Sequence, residues 1–297
     1  MKNLENLEKK RLEAVEKLSK ERKRSLLILL PGIVVVAIGL ATEIAPIIFI
    51  GFIAVIIGII LLSVAYAHIN AFSKSVKKNI IQALLKDAYE DVSYNEHAGI
   101  PLNQILKTDV VKRPDRYTME DYFTATYHGV TFETSDLDFK ERVQHRDSKG
   151  HTYYTYETYF KGRWITYKFE KEFKEGLKII ESRFGFNKRG YEKFDTESIA
   201  FNKKFTIYAT SKEYGFYQIT SSMIEKLLKL ENMHKGQIVY CFIGNELHIG
   251  INDRKDYLEV SYRQPITEEG LKPVIDDIEM IAAIINEFRL DSHKFKN

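Results

Sequence analysis

The sequence predicts an α+β fold laid out in series: an amphipathic N-terminal helix, a transmembrane helical hairpin, then a cytosolic, mostly antiparallel β-sheet domain with packed helices and a C-terminal helix. Three observations carry this expectation. Residues 26–69 are almost uninterrupted apolar sequence, with Glu43 the only charged residue before His68. Lysines and arginines crowd both flanks of that block. From Tyr117 onward, β-branched and aromatic runs are punctuated by His128-Gly129 and Gly244-Asn245, two-residue turns of the kind that close hairpins. Regular βαβα alternation is absent, which disfavours a parallel sheet.

Residues 1–24 hold nine Lys/Arg and five Glu, with Leu4, Leu7, Leu12, Val15 and Leu18 spaced along one helical stripe. The stripe is too short for a long coiled coil, and Arg11 interrupts it. Two readings stay open: self-association into a homo-oligomer through 1–24, or a solvated helix leading into the bilayer.

The apolar block parses as two spans, about 26–42 and 46–69, within a hairpin domain over 25–69. At about 1.5 Å per residue, residues 26–41 cover roughly 24 Å and 47–69 roughly 34 Å, against a hydrocarbon thickness of about 30 Å. Soluble helices keep a polar stripe, and neither segment has one. Gly32, Gly39, Gly51 and Gly58, with Ala37, Ala41 and Ala54, leave room for close helix–helix approach, and Pro31 removes one backbone hydrogen bond. No row of intramembrane charges marks an ion or proton path.

Lys20, Arg22, Lys23 and Arg24 precede the first span, and Lys74, Lys77 and Lys78 follow the second. The positive-inside rule then places both termini in the cytoplasm at a plasma membrane. These seven cations are the candidate contacts to anionic headgroups of the lipid bilayer. A juxtamembrane helix is expected over 70–95, and the cytosolic domain over 96–297.

In that domain a short helix is expected at 102–107 and a hairpin across 122–137. Residues 138–150 read as a loop or an extended hairpin tip. A second hairpin is expected over 152–170, turning at Lys161-Gly162-Arg163. Strands follow at 177–182, 198–201, 205–209 and 216–219. A helix over 221–232 is capped by a Ser222/Glu225 box, a third hairpin covers 237–251, and a closing helix covers 271–288.

Three stretches, DYFTATYHGVTFETSDL (121–137), YFKGRWITYKFEKEFKEGLKIIE (159–181) and above all the run from ESIAFNKKF to IGNELHIGI (197–251), resemble the bacterial membrane-protein family catalogued as domain of unknown function 3137. The resemblance implies a two-span, cytosol-facing α+β module with no established activity and no agreed catalytic residues. It also hints at a membrane-protein partner of the LemA type.

Function classes can be weighed from what remains. The chain carries 44 basic and 41 acidic residues, so beyond residue 24 it is close to neutral and nucleic acid is not an expected partner. Cys241 is the only cysteine, which excludes an intramolecular disulfide and suits a reducing compartment. Glu133, Asp136, Asp138, Glu141, His145 and His151 are the candidate metal or hydrolase residues, though their spacing matches no known ligand motif. Cys241 and His248 are a nucleophile–base candidate, set against the commoner buried thiol. Tyr153, Tyr154, Tyr156, Tyr159, Trp164 and Tyr167 are a candidate stacking platform, but they lack interleaved cations within their own strand and read as sheet packing. No catalytic residue, metal site or cofactor is assigned. The expected function is a membrane-tethered, non-enzymatic interaction or scaffold module. The alternatives are an enzyme using 133–151 and a lipid-headgroup sensor.

Overall fold

A computed structural model describes residues 2–173, 175–181, 190–231 and 236–292. The chain divides into a helical unit, Met1–Ile81 with Glu259–Ile275, and a sheet unit, Gln82–Leu258 with Asp276–Asn297.

The helical unit is built on α1 (Lys2–Thr42) and α2 (Ala45–Ala88), joined by the short turn at Glu43 and Ile44. Both are long and apolar enough to cross a membrane. Their most apolar windows are only 17% and 11% buried, which separates them from the core helices of a soluble protein. Leu27 and Phe49 stand 74% and 69% exposed, apolar surface that water solvates poorly.

What holds the pair together is spacing. Arg11, Leu18, Ser25, Gly32 and Gly39 recur every seven residues on the inner side of α1, as do Gly51, Gly58 and Ala65 on α2. The small residues bring the backbones into contact: a Cβ at Gly58 would sit 2.9 Å from Leu29 Cα, and one at Gly51 would sit 2.7 Å from Val36 N. Without a hydrophobic advantage in lipid, such close van der Waals packing is the available driving force.

Arg11 lies on this seam for a reason its charge conceals. Its Nη1 donates to the Tyr262 carbonyl at 2.9 Å and its Nη2 pairs with Glu8 at 2.6 Å, while Glu8 accepts from Ile266 N at 2.7 Å. Glu8 and Arg11 are thus engaged within the chain by Tyr262 and Ile266, while Leu12 of the apolar stripe remains 54% exposed.

The sheet unit is a nine-stranded sheet in the order β1-β2-β3-β4-β9-β8-β5-β7-β6, with every pairing antiparallel. The strands are β1 (Glu90–Asn95), β2 (Arg116–Tyr127), β3 (Val130–Arg146), β4 (Thr152–Lys168), β5 (Leu177–Glu181), β6 (Glu192–Phe194), β7 (Phe205–Ala209), β8 (Gln237–Ile243) and β9 (Glu246–Asn252). One face is closed by α3 (Leu102–Leu106) and its flanks, where Ile100, Ile105, Val110 and Val111 pack with Phe139, Phe160 and Trp164. On the other face, within the sheet unit, the Tyr167 hydroxyl donates to the Ile281 carbonyl at 3.2 Å, Tyr89 donates to the Ile278 carbonyl, and Tyr240 meets Phe288 edge-on. These partners belong to α7 (Glu268–Phe288), whose first residues belong to the helical unit.

Several expectations need correction. The helix over 70–95 ends at Ala88, because the following Tyr-Glu-Asp-Val-Ser-Tyr run pairs with β2 as strand β1 and sends the Tyr94 hydroxyl to Asp121. Lys161-Gly162-Arg163 is no turn, since β4 runs straight through it with Gly162 opposite Leu137. Gly162 has φ +146°, and a methyl there would run into the Ile251 carbonyl oxygen of β9, so the glycine serves close backbone approach.

Residues 199–204 and 212–218 are helices, α4 (Ile199–Lys204) and α5 (Lys212–Gln218), each started by a serine whose Oγ accepts a backbone N–H: Ser198 from Phe201 and Ser211 from Tyr214. α6 (Ser221–Glu231) is capped by Thr220, which accepts from Met223 N at 3.3 Å, so the Ser222/Glu225 box is displaced by two residues. The expected ends at Ser182 and Asn232 lie outside the described residues.

Candidate functional site

The acidic and histidine residues of 133–151 do not converge. Alternation along β3 sends Glu133 to one face and Asp136 to the other. Glu133 takes hydrogen bonds from Gln104 at 2.6 Å and Tyr122 at 2.9 Å and an ion pair from Lys168, whereas Asp136 pairs with Arg163. Asp138 holds Lys140 and Thr158, Glu141 holds Lys112, His145 meets Thr155, and His151 meets Asp147. Among the described residues no three His, Cys, Asp or Glu side chains gather as metal ligands would.

Cys241 and His248 are direct cross-strand neighbours, yet they do not form a nucleophile–base pair. The thiol is buried against the Thr108 carbonyl and burial pushes it up to about 12, far from the reactive thiolate range. The His248 ring is committed elsewhere, Nδ1 to Trp164 Nε1–H and Thr166 and Nε2 to Glu246. The hydrogen bond from His248 holds Glu246 below the usual carboxylate range.

Arg163 anchors a buried network on the opposite face. It reaches Asp136 at 3.3 Å and the Asp277 carbonyl at 2.9 Å, and its guanidinium lies 4.1 Å from the centre of the Tyr257 ring. Asp136 also accepts from Tyr257 N at 2.6 Å, and Asp277 accepts from Leu258 N at 3.2 Å and pairs with Lys255. Burial raises Asp136 to about 7, although Arg163 and the Tyr257 N–H pull it back. The network pins the chain at the residues where it leaves the sheet unit, Tyr257 and Leu258, and where it re-enters, Asp277.

The stacking platform fares differently. Trp164 and Tyr167 are fully buried, and Tyr159 donates to the Lys112 carbonyl, as sheet packing requires. Tyr153, Tyr154 and Tyr156 are exposed. They stand on the outer part of the β3–β4 ribbon, where β2 has already ended at the Arg116–Lys140 pair and β9 at the Arg163–Ile251 pair. Among the described residues, positions 141–146 pair with no strand but β4.

The ribbon's two faces differ chemically. The register sets Arg142 opposite Tyr156, Gln144 opposite Tyr154 and Arg146 opposite Thr152 on one face, continuous with the Arg116–Lys140 pair. There Arg116 lies 3.6 Å from the centre of the Tyr156 ring and Arg142 lies 4.7 Å from that of Tyr154. The other face carries Glu141 opposite Glu157, Val143 opposite Thr155 and His145 stacked on Tyr153 at 5.2 Å. The interleaved cations missing from the aromatic strand therefore come from its neighbours β2 and β3. They are forty and a dozen residues away in sequence, a signal visible only once the register is known.

Of the seven flanking cations, Lys20, Arg22, Lys23, Arg24, Lys74 and Lys78 are exposed. Lys77 is a correction: its side chain is buried and pairs with Glu259 at 2.5 Å, so it is committed inside the helical unit.

Comparison with known proteins places these features. Residues 158–290 match the model of a family described as Protein of unknown function (DUF3137). The matched stretch begins within β4 and runs through α7, so the resemblance read from the sequence holds there, and ribbon positions 141–157 lie outside it. Among solved structures, the chain is similar to the crystal structure of the mycobacterial trehalose monomycolate transport factor A, TtfA, at 8% identity and a TM-score of 0.39, covering 71% of this chain and 93% of that one. A likeness of that size supports no argument about this chain. No curated protein matches it.

Proposed function

We propose that this protein is a membrane-tethered, non-enzymatic interaction module on the inner face of a bacterial plasma membrane, crossing it twice with both termini cytoplasmic, and that the outer β3–β4 ribbon is its contact surface. The observation that carries the reading is the ribbon itself. A two-stranded ribbon without a covering layer is marginal in water, yet this one is stiffened by guanidinium–tyrosine stacks and leaves three tyrosines exposed. The apolar α1–α2 pair supports the tether, and the cations flanking it support the orientation.

Two measurements test this. A reporter fused after Asn297 should be active only on the cytoplasmic side, and a cysteine at Glu43 should be labelled from outside. A photo-crosslinking residue at Tyr154 of the full chain in native membranes should give adducts that one at Glu213, exposed on α5, does not. Equal yields at both positions would remove the ribbon from the reading.

A further inference from the structure

Resting on that reading of the ribbon, we infer that the face carrying Arg116, Arg142 and Arg146 docks on an anionic lipid surface. The charge on this face is lopsided. Two carboxylates lie at its base, and both are engaged: Asp115 accepts from Arg142 N at 2.8 Å, and Asp138 holds Lys140 at 3.2 Å and the Thr158 hydroxyl at 3.0 Å. Among the described residues none of the three guanidiniums is ion-paired with a carboxylate. Arg146 Nε donates to the Gly150 carbonyl, and the other two lie on Tyr156 and Tyr154. The carboxylates Glu141 and Glu157 are segregated to the opposite face.

The side chains suit a headgroup layer. Tyrosine offers an apolar ring with a polar tip, and arginine an apolar stem with a charged end, the pairing that settles where hydrocarbon meets phosphate. Size points the same way. Six cross-strand pairs at about 3.4 Å per residue make a face about 20 Å long and one ribbon wide, well short of the roughly 800 Å² per partner of a stable protein interface. An anionic leaflet sets no such threshold, since each cation near it strengthens attachment about fivefold at moderate salt. The chain also carries its own apolar helices, which keep a leaflet at high effective concentration for any element tethered to them.

The test uses the full chain in nanodiscs, which are open on both sides. Trp164 is the only tryptophan and is fully buried, so Tyr154→Trp adds one exposed indole on the docking face. With brominated acyl chains in discs containing anionic phosphatidylglycerol, the new indole should be quenched. In purely zwitterionic phosphatidylcholine discs it should not. The triple change Arg116→Gln, Arg142→Gln, Arg146→Gln should lower the docking equilibrium about a hundredfold while Trp164 emission stays unchanged, and 0.5 M salt should act in the same direction.

Quenching that is absent, equal in the two lipids, or indifferent to the triple change overturns the inference. If it fails while the Tyr154 crosslinker captures a protein, the ribbon remains a contact surface and only its lipid partner is lost. If neither lipid nor protein is captured, the reading beneath it falls as well.

Discussion

One ribbon contains two arginines with opposite fates. In its inner half Arg163 is 1% exposed and answers Asp136, the Asp277 carbonyl and the Tyr257 ring, so its Nε, Nη1 and guanidinium face are spent on the fold. In its outer half Arg142 is exposed and leans on Tyr154, and among the described residues no carboxylate is ion-paired with its guanidinium. The same two strands run through both halves, with one register step between Phe139 and Lys140. What changes is whether neighbouring strands and helices cover it. Cover turns a cation into structure, and its absence leaves the same chemistry available to something outside the molecule.

The contrast can be broken at several points. Arg163→Ala leaves the Asp277 carbonyl without its donor and opens a gap beside the Tyr257 ring, and should cost about 2–5 kcal/mol. It would be read as a lower midpoint of thermal unfolding followed by Trp164 fluorescence in the full chain. Gly162→Ala, beside it, forces a side chain into left-handed backbone against the Ile251 carbonyl. It should cost about 1–3 kcal/mol by the same readout.

Asp136 supplies a pH signature. Its carboxyl is raised from 3.8 to about 7 by burial, so between those values the folded chain holds a proton that the unfolded chain has lost. Stability from this residue is therefore present in acid and falls as pH rises from about 4 to about 7. Asp136→Asn should flatten that slope in unfolding measured across the range. Arg142→Ala should be the mildest change, under about 1 kcal/mol, because an exposed guanidinium–tyrosine stack contributes little to the fold. A large loss of stability there would show that the outer half is structural after all.

How much was legible in the sequence follows from how local each signal is. The apolar hairpin, the His128-Gly129 and Gly244-Asn245 turns, β7 and α7 all rest on contiguous patterns, and the structure contains them. α4 and α5 were hidden because their aromatic content resembles strands, while the serines that start them precede the segments. Lys161-Gly162-Arg163 has the composition of a turn, and nothing in Lys-Gly-Arg announces the carbonyl that approaches from β9. The metal or hydrolase candidates of 133–151 lay close in sequence, and pleating then sent them to opposite faces. The candidate surface was half legible: its tyrosines stood out, but Arg116 and Arg142 join them only through register.

The α1–α2 pair has a mechanical consequence. Both helices continue without interruption from the apolar stretch into the charged one, and the sevenfold seam runs along that continuation through Ser25, Leu18 and Arg11. About 22 residues of α1 beyond the apolar stretch amount to a lever arm of roughly 33 Å. Bilayers of different thickness change the inclination of such helices, and a swing of about 10° carries the far end of the arm through about 6 Å. If the pair crosses a bilayer as proposed, a strut of this kind converts membrane thickness into displacement of the far end of α1.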